Sequence, residues 1–207
     1  MRLFSLSLAA IISCGLSASL YGGVILSENF DELTDAVNVT SAGAFSAINS
    51  TDVDIVGPAL FAGLCASPEG GSCIDMDGSG TNPQGQLQSS MLFPAGSYLL
   101  SFDLIGSQRG NTASTTVTFG NYDQEFTLTS SDDTDGIVVD QLVTLSTTGY
   151  LLFVSDTAGY QGDLLDYVVV STATSSTPEP ATLPLMGFTL AGLAVELARR
   201  RRSPRCD

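Results

Sequence analysis

Apolar and polar residues alternate in short runs along the middle of this 207-residue chain, and this period of two restricts its fold more than any other feature. In the run 98–105, Leu100, Phe102 and Leu104 share one face, and Asp103 lies on the other. Successive residues of a β-strand point to opposite sides of the sheet. The pattern therefore predicts strands that bury one face in a hydrophobic core.

Similar runs recur along the chain and are separated by Gly, Asn, Asp and Ser at intervals of about ten residues. They occupy residues 24–30, 73–77, 115–119, 125–129, 137–145, 150–155 and 164–170. Regular spacing of short strands is typical of antiparallel sandwiches. We therefore predict an all-β domain over residues 20–170, an antiparallel β-sandwich of jelly-roll type with about nine strands.

The end of the chain has a different character. Pro178, Glu179 and Pro180 precede an apolar stretch at about residues 181–198, and four arginines follow it. An apolar helix that ends in a basic cluster is typical of a membrane span whose basic end stays in the cytoplasm. We therefore predict a transmembrane helix over this stretch, followed by the cluster Arg199, Arg200, Arg201 and Arg202.

In this order, the three parts resemble the bacterial PEP-CTERM sorting signal, a short domain also catalogued as the ice-binding protein C-terminal domain. The resemblance covers residues 178–202. It implies that an exosortase, a membrane protease-transpeptidase, processes the chain and releases it to the cell surface or the extracellular polysaccharide matrix. Residues 72–79, 94–110 and 162–168 also look like the exported domains of such proteins, which in turn resemble carbohydrate-binding modules.

Two further segments flank the predicted domain. Arg2, the apolar residues 3–12 and the small residues up to Ser19 have the layout of a secretory signal peptide, which we assign to residues 1–19. Cys14 also loosely fits a lipoprotein box, but a lipid would duplicate the anchor at the other end, and we interpret this cysteine as part of the signal's apolar core. Residues 171–177 are rich in Ser and Thr and predict a flexible linker.

The predicted domain is strongly acidic. Six of the seven basic residues lie in the end segments, which leaves Arg109, and 19 of the 22 acidic residues lie within the domain. Its formal charge is therefore near −18, and the chain contains no histidine. Such a surface repels nucleic acid and anionic lipid, so we expect neither as a ligand of the domain. The acids could bind divalent cations or simply keep the domain solvated, and both roles remain open.

Two of the four cysteines lie within the domain. Cys65 and Cys73 flank a loop rich in Gly, Pro and Ser. A metal–thiolate site would need more ligands, and a catalytic thiol would need a base such as histidine. In an oxidising compartment the pair therefore predicts a local disulfide.

Two acidic patterns suggest calcium. Asp75 and Asp77 begin like a calcium loop, but Gln86 stands where an EF-hand has a bidentate glutamate, and Pro83 interrupts the loop. We therefore favour a plain strand in which both aspartates point outward.

The second pattern joins the ends of the domain. Jelly-roll modules of the kind that the chain resembles often hold a structural cation between the first and last strands. Glu28 and Asp31 bracket the end of the first strand, and the alternation places Asp166 on the apolar face of the last. A buried carboxylate must be paired or bound to a metal. We therefore predict a structural Ca²⁺ at Glu28, Asp31 and Asp166, with a hydrogen-bonded turn or edge position as the alternative.

No residue pattern predicts catalysis. The chain lacks the histidine of a triad and the lysine of a Schiff base or a phosphate-binding loop, and nothing singles out a pair of carboxylates for glycoside hydrolysis. We expect a non-catalytic structural or adhesive protein of the cell surface or matrix. The alternative is a carbohydrate-binding module for the cell's own polysaccharide, with Tyr122 and Tyr160 either exposed for sugar contact or covering the rim of the core.

Overall fold

A computed structural model describes residues 21–65, 71–80, 84–134, 136–157 and 159–173. The predicted signal peptide, the apolar helix and the arginine cluster lie outside these residues. Every helix or strand element within them is a β-strand, and none of their segments is a helix able to cross a membrane. The strands are β1 (Tyr21–Glu28), β2 (Ala36–Val39), β3 (Ser41–Ala42), β4 (Phe45–Ala47), β5 (Val53–Val56), β6 (Cys73–Asp75), β7 (Gln86–Ser89), β8 (Gly96–Ile105), β9 (Ala113–Phe119), β10 (Tyr122–Leu128), β11 (Gly136–Leu145), β12 (Leu152–Ser155) and β13 (Leu164–Ala173).

The strands form two antiparallel sheets. The first sheet has the order β11-β8-β13-β6-β5-β2, with β1 also paired to β13, and the second has the order β10-β9-β12-β7-β4-β3. On one side of β13, β6 pairs with its first residues and β1 with the remainder. The predicted all-β antiparallel sandwich is confirmed.

Alternating apolar residues from both sheets meet in one core. The ring of Phe102 on β8 lies 5.5 Å from that of Phe126 on β10 and 5.5 Å from that of Phe153 on β12. Both contacts are edge-to-face, the arrangement that the aromatic quadrupole favours. Leu100 and Leu104 are fully buried beside Phe102, as the period of two predicts.

The first and last strands lie side by side, so the domain begins and ends at neighbouring positions. Tyr21 pairs with Ala173, and Glu28 pairs with Val168. β13 continues through Ser171, which is only 7% exposed, to Ala173. The boundary that we predicted between the domain and the linker is therefore wrong by three residues, because residues 171–173 belong to the sandwich.

The predicted orientation of Asp166 is also wrong. The pairing of β13 with β8 shifts between Leu165 and Tyr167, which indicates a β-bulge. One extra residue reverses the alternation. Leu165 and Val168 consequently both enter the core, while Asp166 is only partly buried.

Candidate functional site: a buried acidic cluster below an open cleft

Three aspartates are buried near the start of β13. Asp75 ends β6, Asp77 follows it in an isolated bridge to Gln84, and Asp163 directly precedes β13. Asp75 is 1% exposed, and Asp77 and Asp163 are 0% exposed. Our prediction that Asp75 and Asp77 point outward is wrong, because all three residues of β6 are buried, so neither face of this strand meets solvent, and Asp77 is buried directly after it.

The cluster's cation is Arg109, from the loop between β8 and β9. Its Nη1 lies 2.6 Å from Oδ2 of Asp75. Its Nε donates to the carbonyl oxygen of Ser107 at 3.1 Å, which fixes the side chain from its own loop. The backbone N–H groups of Gly162 and Asp77 donate to Oδ1 of Asp75 at 2.9 and 3.1 Å. Both oxygens of the Asp75 carboxylate are thereby compensated.

Asp77 and Asp163 are held by a pair of hydroxyls on the second sheet. Ser155 donates to Oδ1 of Asp77, and Thr115 donates to Oδ2 of Asp163 at 3.0 Å. Ser155 on β12 and Thr115 on β9 are directly opposed across the strands, which brings the two carboxylates to the same place. Among the described residues, Oδ2 of Asp77 and Oδ1 of Asp163 have no hydrogen-bond partner of normal geometry, although the backbone N–H of Gln161 lies close enough to Asp77 to lower its pKa.

Burial dominates the electrostatics of the cluster. It raises the pKa of Asp75 to about 6, against the lowering effect of Arg109. It raises the pKa of Asp77 to about 7, with a further contribution from the charge of Asp75. The pKa of Asp163 is likewise raised to about 7 by burial and by the neighbouring charges of Asp77, Asp75 and Asp132. One guanidinium does not neutralise this many carboxyls.

An open cleft of about 260 Å³ lies next to the cluster. Hydrogen bonds join the lining of the cleft to the loop that carries Arg109. Arg109 donates to the carbonyl oxygen of Tyr160 at 3.5 Å, and Asn111 donates to the carbonyl oxygen of Gln161 at 2.8 Å. The side chain of Tyr160 is 59% exposed, whereas Tyr122 packs against the core. The lining residues are Asn111, Thr157, Gly159, Tyr160 and Gln161.

A disulfide joins Cys65 to Cys73, with the two Cα atoms 5.7 Å apart. Cys73 is fully buried on β6 and packs with Val56 and Leu164 in a small second apolar cluster. The disulfide therefore attaches the preceding loop to the strand that leads into the acidic cluster.

The three residues predicted to bind calcium have other contacts. Glu28 accepts hydrogen bonds from the backbone N–H groups of Phe30 at 3.0 Å and Ala44 at 2.8 Å. Asp31 accepts one from the side chain of Asn29 at 2.8 Å. Asp166 lies close enough to Asp103 to raise its pKa. The predicted proximity of the first and last strands is present, and calcium binding by these residues stays a prediction.

Asp103 is another carboxyl whose pKa is raised by burial, and it lies outside the acidic cluster. It is partly buried on β8, and its Oδ1 has no hydrogen-bond partner among the described residues. Burial, with the charges of Asp166 and Asp133, raises its pKa to about 6. Because the pKa of Asp103 is raised in the folded state, the contribution of this group to the free energy of unfolding is fully present below about pH 4. That contribution is lost as the pH rises through about 6.

We therefore expect Asp103→Asn to stabilise the domain at pH 8 by about 1–2 kcal/mol, discounted for partial solvent screening, and to have little effect at pH 4. Urea denaturation at both pH values measures this difference. Asp123→Asn, at an exposed position on β10, is the matched control. An equal effect of Asp103→Asn at the two pH values would contradict the assignment.

The described part of the chain is thus an antiparallel β-sandwich with one disulfide and a buried acidic cluster. The segment that follows it matches the family model described as the PEP-CTERM protein-sorting motif, over residues 176–202. The predicted PEP-CTERM resemblance is confirmed, and the protein is one that carries this motif. The motif implies export and exosortase-dependent sorting.

Several solved structures are similar to the chain at low identity. The K1 cleaved adhesin domain of Lys-gingipain from Porphyromonas gingivalis W83 is 15% identical, with a TM-score of 0.46, over 74% of this chain and 100% of that one. A Podospora anserina GH26-CBM35 β-(1,4)-mannanase is 12% identical over 74% of this chain, and an isomalto-dextranase of Arthrobacter globiformis T6 is 18% identical over 66%, both with TM-scores of 0.34. The chain spans only 28% and 22% of these two enzymes. No curated protein sequence matches it.

Sequence reasoning missed the acidic cluster because its members are far apart in the chain. Sheet pairing brings Ser155 and Thr115 together beside Asp77 and Asp163, and the loop between β8 and β9 brings Arg109 to Asp75. One signal was available: Arg109 is the only basic residue of a domain near −18 in charge. A lone cation in such a domain favours a specific acidic partner.

Proposed function

We propose that this protein is an exported, non-catalytic component of the cell surface or the extracellular polysaccharide matrix, with a structural or adhesive role. The observation that carries the proposal is the sorting motif at residues 176–202, which begins shortly after the last strand ends at Ala173. In this proposal the apolar segment holds the precursor in the membrane until an exosortase removes it.

The burial of the acidic cluster supports a non-catalytic role. Glycoside hydrolysis needs two carboxyl groups that reach the scissile bond from opposite sides. The carboxyls with the most strongly raised pKa values, Asp77 and Asp163, are 0% exposed and are held by Ser155 and Thr115. A sugar cannot contact them without opening the sandwich, so we assign them to the integrity of the fold.

Sorting gives the direct test of this proposal. If an exosortase processes the motif, the mature protein lacks residues 183–207, and Glu179→Ala leaves the full-length precursor in the membrane. The control Glu32→Ala, at an exposed position of the sandwich, is processed normally. Membrane fractionation and intact mass spectrometry measure both results. Wild-type protein that keeps residues 183–207 in a strain that contains an exosortase would contradict the proposal.

The cleft next to the cluster favours carbohydrate binding as a second candidate function. Sugar sites commonly combine an exposed aromatic ring with side-chain amides and hydroxyls. Tyr160, Asn111, Thr157 and Gln161 supply these groups around the same opening. The ligand in this proposal is a polysaccharide made by the same cell.

Tyr160→Ala should weaken binding to the cell's own polysaccharide about tenfold, because it removes the cleft's exposed ring. Affinity electrophoresis in gels that contain the polysaccharide measures the change. Tyr150→Ala removes another exposed tyrosine, which does not line the cleft, and should bind like wild type. Wild-type protein that is not retarded, or equal retardation of Tyr160→Ala and wild type, would count against this second function.

A further inference from the structure

The two unpaired oxygens of the acidic cluster need a physical explanation. Oδ2 of Asp77 and Oδ1 of Asp163 are buried, belong to side chains with no exposed surface, and have no hydrogen-bond partner among the described residues. Burying a polar atom without a partner costs several kcal/mol in an apolar medium, and more if the group is charged. Native proteins rarely leave such atoms unsatisfied, and an ion or a water usually accounts for the exceptions.

The charges of the cluster point in the same direction. Asp75, Asp77 and Asp163 together with Arg109 leave a formal charge of −2 when all four groups are ionised. The carboxylate of Asp75 is already engaged by Arg109 and by two backbone N–H groups. The uncompensated charge therefore belongs to Asp77 and Asp163, and one divalent cation would neutralise it.

We propose that Asp77 and Asp163 bind a calcium ion through Oδ2 and Oδ1 respectively. Their other oxygens stay fixed by Ser155 and Thr115, which are opposed across β12 and β9, so the two binding oxygens come from a preorganised pair. This inference goes beyond the proposed function and does not depend on it.

The donor chemistry selects a hard cation. Carboxylate, hydroxyl and carbonyl oxygens are the ligands of calcium and magnesium, and calcium tolerates irregular geometry whereas magnesium demands an octahedron. Among the described residues, no group of three or more acidic or cysteine side chains could hold a metal ion, so the proposed site rests on two carboxylates. The remaining ligands of the calcium ion would have to be neutral protein oxygens or water. The surrounding domain, with a charge near −18, concentrates divalent cations around it.

A calcium ion here would tie together two segments that are distant in sequence. Asp77 belongs to the loop after β6, and Asp163 directly precedes β13. The two segments are already in contact, because the backbone N–H of Met76 donates to the carbonyl oxygen of Asp163 at 3.0 Å. Binding would therefore stabilise the whole domain against unfolding, as any ligand specific to the native state does.

Isothermal titration of the full chain with CaCl₂ after EDTA treatment, compared with MgCl₂ and with NaCl at matched ionic strength, is the first measurement. We expect one calcium per chain. Calcium at a hundredfold excess over its Kd should raise the Tm by roughly 5–10 °C, well above the magnesium and sodium effects. Wild-type protein that binds no calcium, or whose Tm rises equally with all three salts, overturns the proposal without any variant.

The variants then locate the ion. Asp77→Asn and Asp163→Asn keep the shape and one hydrogen bond of each side chain, and each should abolish the calcium-dependent rise in Tm. Glu28→Gln and Asp166→Asn, at the calcium site predicted from the sequence, should keep it, as should the exposed control Asp123→Asn. If calcium instead fails to act only in Glu28→Gln or Asp166→Asn, the ion lies at the first and last strands and the proposal is wrong.

A proton-based explanation makes a different prediction. If Asp77 and Asp163 are satisfied by protons alone, each asparagine variant is as stable as wild type or more stable, and calcium shifts none of the proteins. That result overturns the proposal. Should either variant fail to fold, terbium luminescence of the wild-type protein and its displacement by calcium still decide whether the chain has a calcium site.

Discussion

Replacing Arg109 with methionine is expected to lower the free energy of unfolding by about 3–5 kcal/mol, because the change leaves the buried carboxylate of Asp75 without its cation. Arg109 lies 2.6 Å from this carboxylate, and Asp75 is 1% exposed. Methionine keeps much of the apolar volume of the arginine stem, so the loss reports the charge. For a domain of this size, the Tm should fall by roughly 6–20 °C.

The matched control is the double variant Asp75→Asn, Arg109→Met, which removes both charges. It should recover a large part of the loss, since removing a buried ion pair as a whole costs far less than removing one partner. Urea denaturation of wild type, both single variants and the double variant gives the coupling energy between the two side chains. A single variant Arg109→Met that unfolds at the wild-type urea concentration would show that the ion pair does not stabilise this domain.

Loss of the disulfide has the second largest expected effect. The variant Cys65→Ala, Cys73→Ala should lose about 2–3 kcal/mol, because the crosslink closes only a short loop in the unfolded chain. Cys73 is buried against Val56 and Leu164, so the lost crosslink would lie next to the acidic cluster. The measurement is the free energy of unfolding in urea, without reductant.

Reduction of the wild-type protein is the control. Dithiothreitol should lower the stability of the wild type to nearly that of the double-alanine variant, and it should leave the variant unchanged. Protein from the extracellular fraction should contain no free thiol at Cys65 or Cys73. Two titratable thiols in the native, exported domain would contradict the disulfide.

Local alternation was enough to predict the strands whose two faces differ. β8 follows its pattern as far as Leu104, since Leu100, Phe102 and Leu104 are fully buried and the residues between them are partly exposed. The sequence runs likewise indicated β1, β6, β9, β10, β11, β12 and β13. These runs missed β2, β3, β4, β5 and β7, which are two to four residues long and establish no period of their own. The equally short β6 and β12 were found because longer alternating runs, 73–77 and 150–155, include them.

Alternation failed where tertiary structure compensates a buried charge. In β5, all four residues from Val53 to Val56 are buried, including Asp54, and Asp75 is buried in the adjacent β6. Asp54 accepts a hydrogen bond from the backbone N–H of Asn38 at 2.7 Å, and Asp75 is paired with Arg109. These partners lie 16 and 34 residues away in sequence, so no local pattern could distinguish such aspartates from exposed ones.

The bulge in β13 shows a second limit. The sequence places Asp166 in phase with Val168 and Val170, but the extra residue between Leu165 and Tyr167 changes the phase. Polar residues at a core-facing position are one sign of such a bulge, yet they are equally a sign of a buried site. The period of two alone cannot choose between these explanations.

The position of β13 also determines how the domain would carry a mechanical load. Asp163 and the cleft lie at the start of this strand, and its other end, Ala173, is the last described residue and lies roughly 30 Å away. A pull between a ligand in the cleft and the tail would act along the strand. The hydrogen bonds to β8 and β1 run across that direction, so both ladders would be loaded in shear rather than opened one bond at a time.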